Sequence, residues 1–125
     1  MASIVVAEVT GHEKYYALGK RTLVIGRGEQ VDVQIVDELI SVKHLQIRFE
    51  EPERSYHALD MKSKNGTRIN HRQIDGDTVL EDGDVIRIGA SSITFYDRDF
   101  SDKQDAFQHH KKAGEHGRST ATRHV

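Results

Sequence analysis

The chain has 125 residues, of which 36% are hydrophobic and 30% are charged, and it contains no cysteine. This length fits one domain with an additional segment, and the lack of cysteine excludes disulfide bonds, cysteine-ligated zinc and cysteine nucleophiles. Residues 1–97 carry 12 Lys and Arg against 16 Asp and Glu, whereas residues 98–125 carry 6 against 4. An acidic body argues against general nucleic-acid binding, which needs a basic face.

Residues 1–97 are predicted to form about ten short β-strands separated by polar turns. Apolar and polar residues alternate along 31–35 and 45–50, which is the period of a half-buried strand. Asn65-Gly66 is the strongest turn dipeptide of the chain. The predicted strands are 2–9, 14–18, 21–25, 31–35, 45–50, 55–61, the pair 67–70 and 73–74, 78–80, 85–88 and 93–96. Without a segment of helical period, this pattern predicts an all-β sandwich with its functional loops at one end.

Residues 98–125 differ in composition from the predicted sandwich domain over residues 1–97. They hold four of the eight histidines and few apolar residues. A short helix over 101–112 with Ser101 as its N-cap is one interpretation, but the segment lacks a clear apolar stripe. We therefore expect a mostly disordered, flexible, polar tail, and we assign no metal site to its histidines. Thr120 and Thr122 stand in a basic context, so a phosphorylated tail could occupy the domain's own binding site; an unmodified solvated tail is the simpler interpretation.

Three short motifs lie where a predicted strand gives way to a turn: Gly26-Arg27, then Ser41 to His44, then Lys64 to Thr67. Together they offer a guanidinium, a hydroxyl, an ammonium and a carboxamide, all on loops. Arginine pairs bidentately with phosphate oxygens, and a carboxamide can both donate to and accept from a peptide backbone. The set therefore suits a phosphate group on an extended peptide, although each motif taken alone is also an ordinary turn.

A serine three residues before a histidine also suggests a hydrolase. We reject that interpretation of Ser41 and His44, because no Gly-x-Ser-x-Gly elbow, third catalytic member or oxyanion loop is evident. His44, at the start of a strand, is expected to be structural and to hold the loop of Ser41 in place. We therefore expect a protein that is not an enzyme.

The order Gly26-Arg27, Ser41-x-x-His44 and Asn65-Gly66, with the later stretch from Leu80 to Gly89, resembles the forkhead-associated (FHA) domain, a phosphothreonine-reading β-sandwich. The resemblance extends over residues 2–97 and implies about eleven strands. It implies that Arg27 and Ser41 hold the phosphate, that Lys64 faces it, and that Asn65 holds the peptide main chain. It also implies supporting roles for further loop residues, which are Gly26, His44, Gly66 and Thr67. Val42 departs from the pattern, because many members have a polar or basic residue there.

The resemblance leads us to expect a module for phosphorylation-dependent protein–protein interaction in kinase signalling. Its partner would be a phosphothreonine-containing protein or peptide made by a Ser/Thr kinase, with no cofactor, nucleic acid or membrane involved. The expected compartment is the cytoplasm, or the nucleus in a eukaryote. The alternative is an FHA-like scaffold or self-association module that needs no phosphate.

Overall fold

The chain forms a sandwich of two β-sheets followed by a helix. The structure, a computed structural model, describes the backbone of residues 1–123 and the side chains of residues 1–113. The elements are β1 (Ser3–Ala7), β2 (Glu13–Ala17), β3 (Leu23–Gly26), β4 (Val33–Gln34), β5 (Leu45–Glu50), β6 (Ser55–Asp60), β7 (Arg68–Ile69), β8 (Arg72–Gln73), β9 (Asp77–Val79), β10 (Val85–Ile88), β11 (Ser91–Tyr96) and α1 (Lys103–Arg123). The expected β-sandwich of ten to eleven strands is confirmed.

The two sheets have different strand orders. One has six strands in the order β2-β1-β11-β10-β7-β8, and the other has five in the order β4-β3-β5-β6-β9. Alternating side chains fill the space between them. In β5, for example, Leu45 and Ile47 are buried, while the alternate residues Gln46 and Arg48 are partly exposed. This two-residue period is the one that the sequence predicts.

Strand β1 is buried on both faces, and helix α1 covers the face that points away from the core between the sheets. Ile4 and Val6 belong to the core between the sheets, whereas Val5 points the opposite way into a second apolar cluster with Tyr96, Phe100 and Ala106. Helix α1 contacts β1 and β2 and covers this outer face. No helix in the described part of the chain combines the length and apolarity that crossing a membrane requires.

The expectation of a mostly disordered tail over residues 98–125 is wrong for its first part. Phe100 and Ala106 are buried, and the Phe100 ring packs edge-on against Tyr15 and Tyr96. An apolar sheet face of this kind must be buried against another element. The few apolar residues of the segment are enough to dock a helix on it. The division of the chain into a domain over 1–97 and a tail over 98–125 remains a prediction. The side chains of Thr120 and Thr122 lie outside the described residues.

Asp102 caps the helix, whereas the helical interpretation of the sequence placed the cap at Ser101. Its Oδ1 accepts a hydrogen bond from the backbone N–H of Asp105 at 2.9 Å. The Asp105 carboxylate in turn accepts from the backbone N–H of Ser101 at 3.1 Å. The two carboxylates also lie at the end of the helix where the dipole favours negative charge.

Candidate functional site

The three motifs meet at one end of the five-stranded sheet. Strand β5 lies between β3 and β6 and is antiparallel to both. The last residues of β3 and β6 therefore lie beside the first residues of β5. The loops that carry Arg27, Ser41 and Lys64-Asn65 follow β3, precede β5 and follow β6, so the sheet brings them together.

Arg27 is exposed but held by its neighbours. Its backbone N–H donates to the carbonyl of Ser41 at 3.0 Å, and its side-chain Nε donates to the carbonyl of Ile40 at 3.0 Å. Within the described residues, neither terminal nitrogen of the guanidinium makes a hydrogen bond or an ion pair. Because Nε is fixed and the terminal nitrogens make no bond within the described residues, the fork of donors that binds an oxyanion stays available.

Ser41 and Lys64 are linked directly. The Ser41 hydroxyl oxygen accepts a hydrogen bond from the backbone N–H of Lys64 at 3.0 Å. That bond uses one lone pair of the oxygen and leaves the hydroxyl proton for another acceptor. The Lys64 side chain is exposed. The Ser41 hydroxyl and the loop that carries the exposed Lys64 side chain therefore lie beside the Arg27 loop.

Asn65 fastens its own loop to the loop of Ser41. Its Nδ2 donates to the carbonyl of Leu39 at 2.9 Å. One amide hydrogen is thereby used, while the carboxamide oxygen and the second hydrogen keep their capacity for a ligand backbone. Asn65 is exposed, so this capacity faces the surface.

His44 connects the two loops from inside the protein. The ring is fully buried; its Nδ1 accepts from the backbone N–H of Ser41 at 3.0 Å, and its Nε2 lies 2.8 Å from the carbonyl of Gly66. Because a backbone N–H can only donate, Nδ1 is unprotonated and Nε2 carries the proton that is donated to Gly66. The expected structural role of His44 agrees with this geometry.

Thr67 and Asp60 hold the loop after β6. The buried Thr67 hydroxyl donates to Asp60 Oδ1 at 2.7 Å, and the Asp60 carboxylate also accepts from the hydroxyl and the backbone N–H of Ser63. Burial alone would raise the pKa of Asp60, but the hydrogen bonds from Ser63 and Thr67 outweigh it and hold the pKa below its ordinary value. Gly66, with φ of 82°, supplies the left-handed turn inside this loop.

Gly26 allows the loop of Arg27 and the loop of Ser41 to approach each other. A Cβ atom at this position would lie 2.2 Å from the carbonyl oxygen of Val42. Backbone atoms cannot move out of the way without breaking the contacts that hold Arg27 against Ser41. The side chain of Val42 is itself exposed, at 51%, beside the patch.

Two arginines that the sequence interpretation did not select also lie near Asn65. A groove of about 330 Å³ is lined by Leu39, Asn65, Gly66, Arg68, Arg87 and Gly89. Arg68 directly follows the third motif, but Arg87 lies nineteen residues after Arg68. Only the pairing of β7 with β10, which sequence patterns do not reveal, places the two opposite each other.

A second polar cluster lies on the outer face of the five-stranded sheet, away from the motifs. His57 Nε2 is 3.0 Å from the Ser55 hydroxyl, and His57 Nδ1 is 2.8 Å from Asp77 Oδ2. This chain of groups is the one used by serine hydrolases. Arg48, however, donates to the same Asp77 oxygen, and the groove around the cluster is lined by three glutamates, Glu50, Glu51 and Glu53. Their negative charge opposes the oxyanion of acyl transfer, so the cluster fits a structural network better.

The comparisons with known proteins agree with the geometry of the fold. A sequence model of the FHA domain matches residues 23–89, which include all three motifs. The FHA domain-containing protein FhaA of Mycobacterium tuberculosis is 36% identical over 85 residues, which cover 66% of this chain and 15% of FhaA. The aligned segments span between 3% and 54% of the first three curated relatives.

Solved structures show the same architecture. The FhaA FHA domain, crystallised in complex with the intracellular domain of another protein, superposes with a TM-score of 0.66 at 30% identity, covering 76% of this chain and 99% of that domain. A second FHA structure, from a study of phosphothreonine-dependent FHA domain interactions, superposes with a TM-score of 0.65 at 28% identity, covering 79% of this chain and 98% of the other.

Proposed function

This chain belongs to the FHA domain family, and from that premise we propose that it binds phosphothreonine-containing peptides through Arg27, Ser41, Lys64 and Asn65. Arg27, Ser41 and Lys64 would hold the phosphate, and Asn65 would hold the main chain of the bound peptide. Gly26, His44, Gly66 and Thr67 would support these residues without touching the ligand. The proposed role is phosphorylation-dependent protein–protein interaction, with no chemical conversion of the partner.

The observation that carries the proposal is the direct linkage of the donor-bearing loops. Arg27 is bonded to the carbonyls of Ile40 and Ser41, Ser41 to the amide of Lys64, and Asn65 to the carbonyl of Leu39. Donors that are held before a ligand arrives lose little conformational entropy when it binds. The linkage therefore favours a preformed anion site over a group of solvated surface residues.

Phosphate has the chemistry that this arrangement matches. Phosphorylation adds about −1.5 to −2 charge and three acceptor oxygens. The terminal nitrogens of Arg27 and the proton of Ser41 can serve two of these oxygens, and the ammonium of Lys64 adds charge complementarity. An unmodified threonine offers none of these acceptors, so binding would depend on a kinase.

The relatives support the same class of partner. One similar solved FHA domain comes from a study of phosphothreonine-dependent interactions, and another is bound to the intracellular domain of a second protein. We propose that this chain likewise recognises a protein phosphorylated by a Ser/Thr kinase in the cytoplasm. The acidic balance of residues 1–97 supports a protein partner over nucleic acid.

Fluorescence polarisation with a phosphothreonine peptide library, beside the same library without phosphate, tests the proposal. We expect binding that requires the phosphate and that falls about 10- to 150-fold in Arg27→Ala, since hydrogen bonds to charged groups contribute roughly 1.5–3 kcal/mol. Arg21→Ala is the matched control. Arg21 precedes β3, whereas Arg27 follows it. The Nη2 atom of Arg21 donates to the carbonyl of Ala17 at 3.2 Å.

Equal binding with and without phosphate, unchanged by Arg27→Ala, would overturn the proposal. It would favour the alternative of a phosphate-independent scaffold or self-association module. The exposed apolar side chains near the site, which are Val36, Leu39 and Val42, would then be the natural contact surface.

A further inference from the structure

The groove beside Asn65 contains two positive charges that the proposed phosphate site does not use. Arg68 and Arg87 are direct partners in the antiparallel pair of β7 and β10. Their neighbours Ile69 and Ile86 are also partners, and both are buried. Since side chains of directly opposed residues share one face of a sheet, the two arginines project together onto the outer face, where both are exposed.

Two like charges directly opposite each other destabilise a sheet. Within the described residues, neither arginine takes part in an ion pair or a side-chain hydrogen bond. Asp37, from the loop that also carries Leu39, does not neutralise them through such a contact. Its two carboxylate oxygens accept hydrogen bonds from the backbone N–H groups of Leu39 and Ala90, each at 2.8 Å. The paired guanidinium groups therefore form a local positive site on a domain whose residues 1–97 are acidic in balance.

The position of the pair relates it to the ligand. Asn65 lines the same groove as Arg68 and Arg87, and under the proposed function Asn65 holds the main chain of the bound peptide. A peptide that extends past Asn65 into the groove would place a flanking side chain against the two guanidinium groups. A carboxylate or a second phosphate there would relieve their repulsion and accept several of their hydrogen bonds.

We infer that Arg68 and Arg87 form a second anion-recognition subsite, which selects phosphothreonine peptides with an additional negatively charged side chain. The inference rests on the proposed function, because the phosphothreonine fixes the register of the peptide. The shared ligand chemistry is an anionic oxygen group, supplied either by Asp or Glu or by a second phosphorylated residue.

The test is a positional scan on one phosphothreonine peptide with otherwise neutral flanking residues. Asp, and separately phosphoserine, is placed at each of four positions on either side, and affinities are measured for the wild type, Arg68→Gln, Arg87→Gln and the double variant. At one position of the peptide, or at two neighbouring ones, we expect Asp to raise the affinity about threefold to tenfold and phosphoserine to raise it further. The double variant should lose that gain while it keeps its affinity for the neutral-flank peptide.

Arg72→Gln is the charge-matched control, because Arg72 is an exposed arginine on the adjacent strand β8 but does not line the groove. A gain confined to phosphoserine would identify a second phosphate as the ligand, and a gain with both would identify anionic side chains in general. Thermal unfolding of the glutamine variants should be unchanged or improved, because a like-charge pair is removed.

Three outcomes would overturn the inference. If the neutral-flank peptide binds through Arg27 but no anionic position adds affinity, the subsite is refuted and the proposed function stands. If the gain survives in the double variant, or falls equally in Arg72→Gln, the arginine pair is not its source. If no phosphothreonine peptide binds at all, the proposed function fails and the subsite fails with it.

Discussion

The imidazole of His44 accepts a hydrogen bond from the backbone N–H of Ser41 and lies within hydrogen-bond distance of Gly66, so one buried ring fixes two loops of the candidate site. The serine side chain that would meet the phosphate is thus positioned by a residue that no ligand would touch. Stability and binding are coupled at this point, and the coupling can be measured.

Replacing His44 should weaken both the fold and the site. His44→Ala leaves the Ser41 N–H and the Gly66 carbonyl without their partner and opens a cavity at a fully buried position. We expect the free energy of unfolding to fall by about 3 kcal/mol, measured by urea denaturation, and peptide affinity to fall at a temperature where the variant is still folded. His71→Asn, at an exposed position, should change stability by no more than about 0.5 kcal/mol. An unchanged unfolding curve for His44→Ala would contradict the role of the ring.

The two glycines of the first loop should differ in how they can be rescued. A Cβ at Gly26 would meet the carbonyl oxygen of Val42 at 2.2 Å, whereas a Cβ at Gly28 would meet the Val42 side chain at 2.7 Å. We expect Gly26→Ala to cost roughly 3 kcal/mol of folding free energy, with no recovery on adding Val42→Ala. Gly28→Ala should recover in part in the double variant, because the clashing methyl group is removed.

Denaturant unfolding of the two single and two double variants provides the measurement for these glycines. If Val42→Ala restored the stability of both glycine variants equally, the backbone at Val42 would be able to move away from a Cβ atom at Gly26. That result would remove the reason for a glycine at this position.

Asp60 should make stability depend on pH at the acidic end. Burial opposes ionisation, but hydrogen bonds from Ser63 and Thr67 hold the pKa of Asp60 below its ordinary value of 3.8. A carboxyl with a lowered folded-state pKa contributes stability that is present above the unfolded value and is lost as the pH falls through the folded value. Asp60→Asn should therefore be less stable than the wild type at pH 7, by about 1–2 kcal/mol. The difference should shrink as the pH falls below 3.8.

Urea denaturation between pH 2.5 and pH 7 measures this effect. Asp75→Asn, at an exposed position, controls for the loss of one negative charge. A constant difference between Asp60→Asn and the wild type across that range would show that the ionised carboxylate is not the stabilising form.

Docking of helix α1 should weaken in mild acid. Burial has the largest effect on the pKa of His110 and lowers it, and the neighbouring His109 lowers it further. Glu13, whose Oε2 lies 3.8 Å from His110 Nε2, acts in the opposite direction. Tyr96, whose pKa burial raises to about 12, keeps its proton and lies 2.7 Å from His110 Nδ1. A histidine with a lowered folded-state pKa costs no stability above pH 6.5, the ordinary value of its pKa. As the pH falls below 6.5, it destabilises the fold because the unfolded chain binds the proton first.

Thermal unfolding between pH 5 and pH 8 detects this loss, and His110→Gln should remove part of the pH dependence. His12→Gln, at an exposed position on the turn before β2, serves as the control. Identical pH profiles for the wild type and His110→Gln would contradict the assignment.

The helix itself shows where local patterns mislead. The Ile4-Val5-Val6 run has no polar alternation, and continuous apolar strands are typical of sheets covered on both faces. Such a run is a signal that β1 is covered on both faces, but it does not identify the segment that supplies the cover. Residues 98–125 have few apolar side chains, and Phe100 and Ala106 suffice only because Tyr15 and Tyr96 complete the interface. Composition counts residues, whereas docking depends on which side chains meet.

The strands, the turns and the chemical groups of the candidate site were predictable from the amino-acid sequence, because side-chain period and turn chemistry are local properties of the chain. Gly26-Arg27, Ser41 to His44 and Lys64 to Thr67 were recognisable as loop motifs for the same reason. Which of these groups face one another depends on how the strands pair in the folded chain. The antiparallel order of β3, β5 and β6 gathers the three loops, and the register of β7 and β10 sets Arg68 opposite Arg87. Strand pairing is settled by burial across the whole sandwich, so residues far apart in the chain become neighbours without any local signal.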